Sequence, residues 1–426
     1  MLPKHRADIN MPGPCPRSAR RTAATSKEAS VPANTQDASP APDAAPMLSP
    51  DGYDPRPLAE RGGVFHIPSL DGIRAVAVLI VMIAHFGFDK LVPGGYGVTV
   101  FFFLSGYLIT TLMRKEFGKT GRIDLLAFYL RRTLRIFPPM YITLAVLMSL
   151  SLFEAVGPFS WTAVLYQLGF LTNMLKIWAP DATAMVAQDL VRQLGTGVYW
   201  SLAIEEHFYM GFPLLMIALM PRLTRGRIAL VLLGTCVLGL LWRLYLVHGL
   251  HAEHARVYYG TDARLDSIMY GCVLALWGNP FLDKPLRLST AVKALLLIVA
   301  LGATAATFVI RDEAFRETWR YSIQGVALFP LFYLAVMDHD RPLFRWLAWG
   351  PLRYIGALSY TLYLIHLGLW SFFELATPDM AFPARFAVCT ALSFAYAIAM
   401  YYAVEQPCAK LRKRLHKKTP KPVAAG

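Results

Sequence analysis

The feature that most constrains this chain is a series of apolar runs, most of them long enough to cross a lipid bilayer. A membrane-spanning helix needs about 20 apolar residues, whereas a soluble domain carries about 25% charged residues. Here 55% of the residues are hydrophobic and 16% charged. We therefore predict an all-α polytopic membrane protein, a bundle of about ten transmembrane helices. The candidate runs are 70–88, 98–113, 139–155, 198–220, 228–247, 265–277, 291–310, 322–337, 355–375 and 382–404.

Basic residues set the orientation of these runs. Seven Lys or Arg lie in residues 114–135, and cytoplasmic loops of membrane proteins concentrate such residues. This loop is therefore predicted to be cytoplasmic. With ten crossings, both termini are predicted to be cytoplasmic as well. If one further stretch, 161–175, also crossed the membrane, the later basic loops would lie outside the cell. We therefore interpret this stretch as interfacial or re-entrant. The net charge of +14 would also suit nucleic acid, but the concentration of Lys and Arg in these loops favours the lipid bilayer as partner. We expect a multi-pass protein of the cell's inner (cytoplasmic) membrane.

Composition divides the chain into three segments. Residues 1–62 are rich in Pro, Ala, Ser and Thr and contain no apolar run, which predicts a disordered cytoplasmic tail. Residues 63–408 form the membrane domain, and 409–426 form a basic cytoplasmic C-terminal tail. The five cysteines include no CxxC pair, so the sequence indicates neither a disulfide framework nor a metal site.

Charged residues inside a span mark function, because a charge at bilayer depth is costly. The first run carries Arg74 and His85, eleven residues apart. At about 100° and 1.5 Å per residue they share one helix face, about 16 Å apart. The pair therefore places a fixed cation and a titratable base along one path through the bundle. The alternative is a snorkelling arginine and a histidine bonded to a neighbouring helix.

Two further motifs add charge to this path. Glu205 lies several residues inside the run 198–220, at a depth that suggests contact with His85. A carboxylate beside a histidine orients the ring for general-base catalysis. The loop before the third run contains a cluster of arginines that either marks orientation or binds phosphates, including those of coenzyme A. This cluster consists of Arg131, Arg132 and Arg135.

The remaining polar candidates have structural alternatives. Ser105 and Gly106 lie in mid-span, where small residues favour helix packing, and we expect packing rather than a nucleophile. Asp266 and Arg264 are expected to pair at the outer start of a helix. His366 lies in the middle of its run, where a buried histidine is more often a satisfied hydrogen-bond donor than a catalytic group.

Seven motifs in order resemble the integral membrane acyltransferase-3 family of O-acyltransferases. They are LDGIR with a later His, GVTVFFFLSGYLI, FYLRRTLRIFPP, YWSLAIEEHFY, TDARLD, YIGALSYTLYLIH and YYAVEQP. The resemblance covers residues 70–407 and implies transfer of an acyl group, commonly acetyl, from acyl-CoA to a hydroxyl of a sugar or another acceptor. It implies functional roles for Arg74, His85, the arginines of FYLRRTLRIFPP, Glu205 and Arg264.

Some positions depart from the family pattern. Ala75 replaces a frequent Gly, Thr99 a frequent acidic residue, His207 a frequent Gln and Gln406 a frequent Arg. Thr99 matters most, since it removes an anionic group near the outer end of the second run. The chain ends soon after its last run, so we do not expect the extracytoplasmic SGNH-type hydrolase domain that is fused to some members.

Taken together, these residues predict a mechanism without a metal. Arg74 and the arginine cluster would hold the phosphates of acyl-CoA, while His85, oriented by Glu205, would deprotonate the acceptor hydroxyl. Cell-surface polysaccharide, lipopolysaccharide, exopolysaccharide and a secreted small molecule all fit as acceptor. The alternative is a proton-coupled transporter, which also uses intramembrane His, Glu and Arg. A membrane scaffold without turnover is a third possibility.

Overall fold

The computed structural model describes Leu58 and residues 67–150, 160–179 and 181–417. Within these ranges all regular secondary structure is helical, which confirms the predicted all-α fold. Apart from Leu58, the tail 1–62 lies outside the described residues, as do 151–159 of the third run and 418–426 of the C-terminal tail. The disorder of the N-terminal tail therefore stays a prediction.

The described chain forms seventeen α-helices joined by loops and short 3-10 or π turns. Their bounds are α1 Pro68–Ile83, α2 Gly94–Thr120, α3 Leu125–Ser149, α4 Trp161–Leu168, α5 Thr172–Ile177, α6 Ala182–Gln193, α7 Trp200–Leu219, α8 Arg225–Leu244, α9 His254–Tyr259, α10 Thr261–Leu276, α11 Thr290–Val309, α12 Glu313–Glu317, α13 Trp319–Met337, α14 Pro342–Arg345, α15 Gly350–Ala376, α16 Phe382–Met400 and α17 Gln406–Lys417.

Eight helical stretches of the described chain are long and apolar enough to cross a membrane. They contain α1, α2, α7, α8, α11, α13, α15 and α16, the last continued into α17. The two other predicted runs correspond to α3 and the 16-residue α10. The stretch 161–175 forms α4 and α5, of 8 and 6 residues. At 1.5 Å per residue these helices are about 12 and 9 Å long, too short to cross.

Helices α1 and α15 lie side by side in the same direction. Near their first turns, a Cβ atom added to Gly356 would lie 1.9 Å from the carbonyl oxygen of Asp71, so only glycine permits this approach. Towards the other end the rings of His85 and His366 stack, with centroids 5.1 Å apart. The close approach at one end thus sets the register that brings the two histidines together at the other.

Helices α2 and α10 also pack backbone against backbone. A Cβ on Gly106 would lie 2.0 Å from the carbonyl oxygen of Ile268, and one on Gly271 would lie 1.9 Å from that of Phe103. Glycine is used in this way where membrane helices approach closely. The packing role expected for Gly106 is therefore observed.

The relative directions of the helices bear on the number of crossings. Phe102 contacts Arg264 near the starts of α2 and α10, and the Tyr107 hydroxyl donates to Asn279 beyond the end of α10 (3.1 Å). These two helices therefore run in parallel, as α1 and α15 do. Because successive spans reverse direction, two parallel spans must be separated by an odd number of others, and ten crossings that include α3 and α10 satisfy this for both pairs. These directions are the ones that ten crossings predict, and the count stays a prediction.

The connection between α2 and α3 carries the basic loop and fixes its arginines. Helix α2 ends at Gly121, whose φ of 68° lies in the left-handed region that glycine adopts readily. Helix α3 starts at Asp124, whose side chain accepts a hydrogen bond from the Ala127 amide (2.9 Å). Across the turn, Arg131 pairs with Glu116 (3.1 Å). These contacts hold the first turns of α3 against the end of α2.

Candidate active site

A cavity opens among α1, α2, α3, α7 and α15 and has a volume of about 90 Å³. Its polar side chains come from five sequence motifs that lie far apart in the chain, and its remaining wall is apolar and aromatic. The polar lining consists of Arg74, Ser105, Arg132, Arg135, Ser201, Glu205, Glu206, Tyr209, Ser359, Tyr360 and Tyr363.

Three of the predicted arginines meet in this cavity. Arg74 forms an ion pair with Asp71 one turn earlier on α1 (3.3 Å), whereas Arg132 and Arg135 make no ion pair within the described ranges. The guanidinium of Arg132 instead lies over two aromatic rings. Arg131 points away from the cavity towards Glu116. The cavity thus presents guanidinium groups that are available to an anion.

Glu205 and Glu206 form the acidic part of the wall. Glu205 accepts hydrogen bonds from Ser105 (3.0 Å) and Tyr209 (3.1 Å). One carboxylate oxygen of the buried Glu206 has no hydrogen-bond partner among the described residues. That oxygen is free to accept an N–H or O–H from a ligand. Nowhere in the described chain do three or more His, Cys, Asp or Glu side chains group as metal ligands would.

The predicted contact between Glu205 and His85 is wrong. The number of residues between the start of the apolar run and Glu205 predicted that Glu205 lies at the depth of His85. In the structure a buried 3-10 turn, Thr196–Tyr199, precedes α7, so the helix begins already inside the protein. Glu205 is consequently further from the outer end of the bundle than expected, and it faces Ser105 rather than His85.

His85 pairs with His366 instead. The Nδ1 atom of His85 lies 2.8 Å from Nε2 of His366, while Nδ1 of His366 lies 2.9 Å from the carbonyl oxygen of Tyr363. A carbonyl only accepts, so Nδ1 of His366 carries a hydrogen and, in the neutral ring, Nε2 accepts. His85 must then donate through Nδ1. Its own Nε2 is left without a proton and can act as a base.

The histidine pair lies one side chain away from the cavity. Tyr363 lines the cavity, and its ring centroid is 5.8 Å from that of His366. The Tyr363 hydroxyl and Ser201 are hydrogen-bonded (2.7 Å), which fixes this aromatic layer against α7. Phe86 and Trp370 stack beside the pair, with centroids 5.0 Å apart. His366 is thus both a satisfied structural donor, as expected, and the direct partner of His85.

The turn that carries His85 is irregular. Helix α1 passes at Ala84–Phe88 into a π turn, and Gly87 has a φ of 93°, a conformation that side chains other than glycine rarely adopt. A Cβ there would also lie 2.8 Å from the Phe382 ring. This break ends α1 within a few residues of His85.

The predicted pair of Asp266 and Arg264 is also wrong. Residues two apart on a helix point to different sides, and Asp266 instead pairs with Arg243 of α8 (2.8 Å). Both side chains of that pair are fully buried, at 0% and 1% exposure. Arg264 lies in a cage of aromatic rings, those of Phe102, Trp200, Tyr258 and Tyr321, the last with its centroid 3.9 Å away. Arg264 does not line the cavity, but its neighbour Phe102 does.

Two of the departures from the family motifs have local roles. The Thr99 hydroxyl is buried and donates to the Gly95 carbonyl one turn earlier (3.2 Å). Nδ1 of His207 lies 2.9 Å from the Thr261 hydroxyl oxygen. Neither side chain lines the cavity.

Of the α15 residues at the site, only His366 was a candidate from the sequence. Ser359 and Tyr363 line the cavity, and His366 follows them. Spacings of four and three residues put all three on one helix face. This polar stripe is visible in the sequence SYTLYLIH, and it is the signal that would have identified His366 as a partner rather than as an isolated buried histidine.

The helical bundle thus brings guanidinium groups and carboxylates to one cavity, with the histidine pair behind its aromatic wall. Residues 67–402 match the family model Acyl_transf_3, described as an acyltransferase domain. The chain therefore belongs to the acyltransferase-3 family. This confirms the resemblance carried by the seven motifs.

Curated proteins that are similar to this chain include O-acetyltransferases. The chain is 33% identical over 314 residues to "O-acetyltransferase OatA" of Staphylococcus aureus strain NCTC 8325 / PS 47, an alignment that covers 71% of this chain and 50% of the relative. The OatA of strain MRSA252 matches to the same extent. The chain thus spans about half the length of these relatives. No solved structure matches the chain.

Proposed function

We propose that this protein is a membrane O-acyltransferase of the inner membrane that moves an acyl group, with acetyl expected, from acyl-CoA to a hydroxyl of a glycan. The observation that carries the proposal is the joint position of Arg74, Arg132 and Arg135 at a cavity whose aromatic wall adjoins the His85–His366 pair. An anion site and a base site are thus connected within one bundle. The name of the OatA relatives, O-acetyltransferase, supports the reaction type.

The arginines suit the phosphate end of the donor. Guanidinium groups bind phosphate oxygens through paired hydrogen bonds, and coenzyme A carries its phosphates at the end opposite its sulfur. Arg132 and Arg135 lie near the basic loop that we place in the cytoplasm, where acyl-CoA is made. Between the two ends of the donor runs an arm with amide N–H groups. The unpartnered oxygen of Glu206 is a matching acceptor for one of them.

His85 suits the acceptor end. Its Nε2 would take the proton of the acceptor hydroxyl as the oxygen attacks the thioester carbon, and the carbon–sulfur bond would break to release the thiolate of coenzyme A. The proton then passes from His85 to that thiolate, so the base is restored. His366 holds the required tautomer throughout, because its Nδ1 hydrogen is committed to the Tyr363 carbonyl. General-base catalysis of this kind contributes about 10² to 10⁴ in rate.

Glu205 has a different role from the one its sequence position suggested. It accepts from Ser105 and Tyr209 and lies in the same cavity as the arginines. We assign it to positioning the cavity wall and to balancing guanidinium charge when no donor is bound. Ser105 is then a hydrogen-bond donor to Glu205, and no acyl-serine is invoked.

The proposal is tested by incubating the purified protein with radiolabelled acetyl-CoA and a crude glycan extract. The expected result is alkali-labile label in the glycan with the wild type and none above background with His85→Ala. In proteoliposomes, a proton-coupled transporter would instead accumulate label in the lumen without forming an ester. Lumenal accumulation without glycan labelling would therefore overturn the proposed function.

A further inference from the structure

The last helix of the described chain reaches beyond the membrane. The helical stretch that contains α16 and continues into α17 has 33 residues, Phe382–Arg414, or about 50 Å at 1.5 Å per residue. The hydrocarbon core of a bilayer is about 30 Å thick. The C-terminal part of this stretch therefore extends beyond the hydrocarbon core. It packs against α3, the helix that carries the arginine cluster.

Arg412 is the residue of α17 that this packing brings to the cluster. It is half-buried on the helix that packs against α3, within electrostatic range of Arg135 and Arg131 of α3. Arg131 already has Glu116 as partner. No carboxylate of the described chain forms an ion pair with Arg412 or Arg135, although Glu205 and Glu405 lie within electrostatic range of Arg135.

This arrangement is unfavourable without an anion. Like charges held together at a partly buried site repel more strongly than they would in water, and an exposed arginine could relieve the repulsion by turning into solvent. Arg414 lies two residues further on, on a different side of the helix, and is exposed. The half-buried position of Arg412 thus indicates that the cluster is built around a group with more than one negative charge.

We propose that Arg412 extends the donor site and contacts a phosphate of the nucleotide end of acyl-CoA. The inference rests on the proposed function and deepens it, since it assigns the C-terminal helix to substrate binding. Phosphate is also the chemistry of anionic lipid headgroups, which is the competing source of the anion. Donors with and without phosphate distinguish the two sources.

The test compares Arg412→Gln with Arg414→Gln, which removes the same charge from the exposed side of the same helix. Binding of acetyl-CoA and of S-acetylpantetheine, which lacks the nucleotide and its phosphates, is measured by calorimetry in a neutral detergent. We expect Arg412→Gln to weaken acetyl-CoA binding about tenfold, as the loss of a charged hydrogen bond does, and Arg414→Gln to change it less than about twofold. S-acetylpantetheine should bind all three proteins equally.

Arg412→Lys should restore part of the acetyl-CoA affinity, because it keeps the charge but loses the paired geometry. Equal acetyl-CoA affinities in Arg412→Gln and Arg414→Gln would overturn the inference. So would an Arg412→Gln effect that appears only as reduced thermal stabilisation by phosphatidylglycerol, since that result assigns the residue to lipid. In these two cases the wild type still binds acetyl-CoA, and the proposed function stands. Failure of the wild type to bind acetyl-CoA would overturn the donor assignment itself.

Discussion

Nδ1 of His85 and Nε2 of His366 are 2.8 Å apart across α1 and α15, although 281 residues separate them in the chain. The contact depends on the glycine-mediated approach of the two helices at Gly356 and on the break that ends α1 beside His85. Together with the hydrogen bond from His366 to the Tyr363 carbonyl, this contact assigns a tautomer to each ring. The site therefore resembles a relay in which one histidine is held so that the other presents a free nitrogen.

The first prediction concerns His366. Replacement by Leu leaves the Nδ1 hydrogen of His85 without an acceptor, and we expect the single-turnover rate of transfer to fall about tenfold, equivalent to about 1.4 kcal/mol. His366→Gln should retain more activity, because its amide oxygen can accept from His85. Rates are compared over a range of pH, with thermal melting as the control for folding. A Leu variant with the wild-type rate and pH profile would show that His366 does not position His85.

The second prediction follows from the hydrogen bonds of Glu205. Because Glu205 contacts Ser105 and not His85, Glu205→Gln should alter donor affinity while leaving the pH dependence of the chemical step unchanged. A double-mutant cycle with Ser105→Ala should give a coupling energy of about 1 kcal/mol. A shift in the pH profile with zero coupling to Ser105 would support the direct contact with His85 that the structure lacks.

The third prediction concerns the buried ion pair of Arg243 and Asp266. Arg243→Met strands a buried carboxylate and should destabilise the protein by about 3 to 5 kcal/mol, measured as a lower melting temperature in detergent. Adding Asp266→Leu should restore most of the loss, because a buried pair can be replaced by apolar side chains at little cost. If the double variant melts no higher than Arg243→Met, the two residues do not act as a pair.

The fourth prediction concerns topology. Alkaline phosphatase fused after Leu250 or after Asp312 should be active, because ten crossings place these loops outside, and fusions after Gly118 or after Arg414 should be inactive. Activity of the Arg414 fusion would mean an odd number of crossings. It would also move α17 away from the cytoplasm, where acyl-CoA is available.

The fold followed from the sequence because apolar runs of span length have few alternatives in a bilayer. The meeting of Arg74 with Arg132 and Arg135 was also predictable, since the start of the first run and the basic loop 114–135 were both assigned to the cytoplasmic face. The resemblance to the family motifs added the reaction class. These features depend on residue order and composition, which the sequence states directly.

The partners of Glu205, Asp266 and His85 could not be predicted, because they depend on how each helix is rotated and how deep it lies. Apolar runs give helix ends only to within a few residues, and the buried turn before α7 moved Glu205 away from His85. The Asp266 partner depends on the rotation of α10 relative to α8. The role of His366 as a partner could have been predicted, since the polar stripe of α15 is visible in the sequence.

We propose above all that the arginines hold the donor and that His85 takes the proton. The most direct test measures, on one preparation of His85→Ala, both the affinity for acetyl-CoA and the single-turnover rate of transfer to glycan. We predict an affinity within about twofold of the wild type and a rate lower by about 10² to 10⁴. Transfer at the wild-type rate, or loss of donor binding in a variant that remains folded, would contradict it.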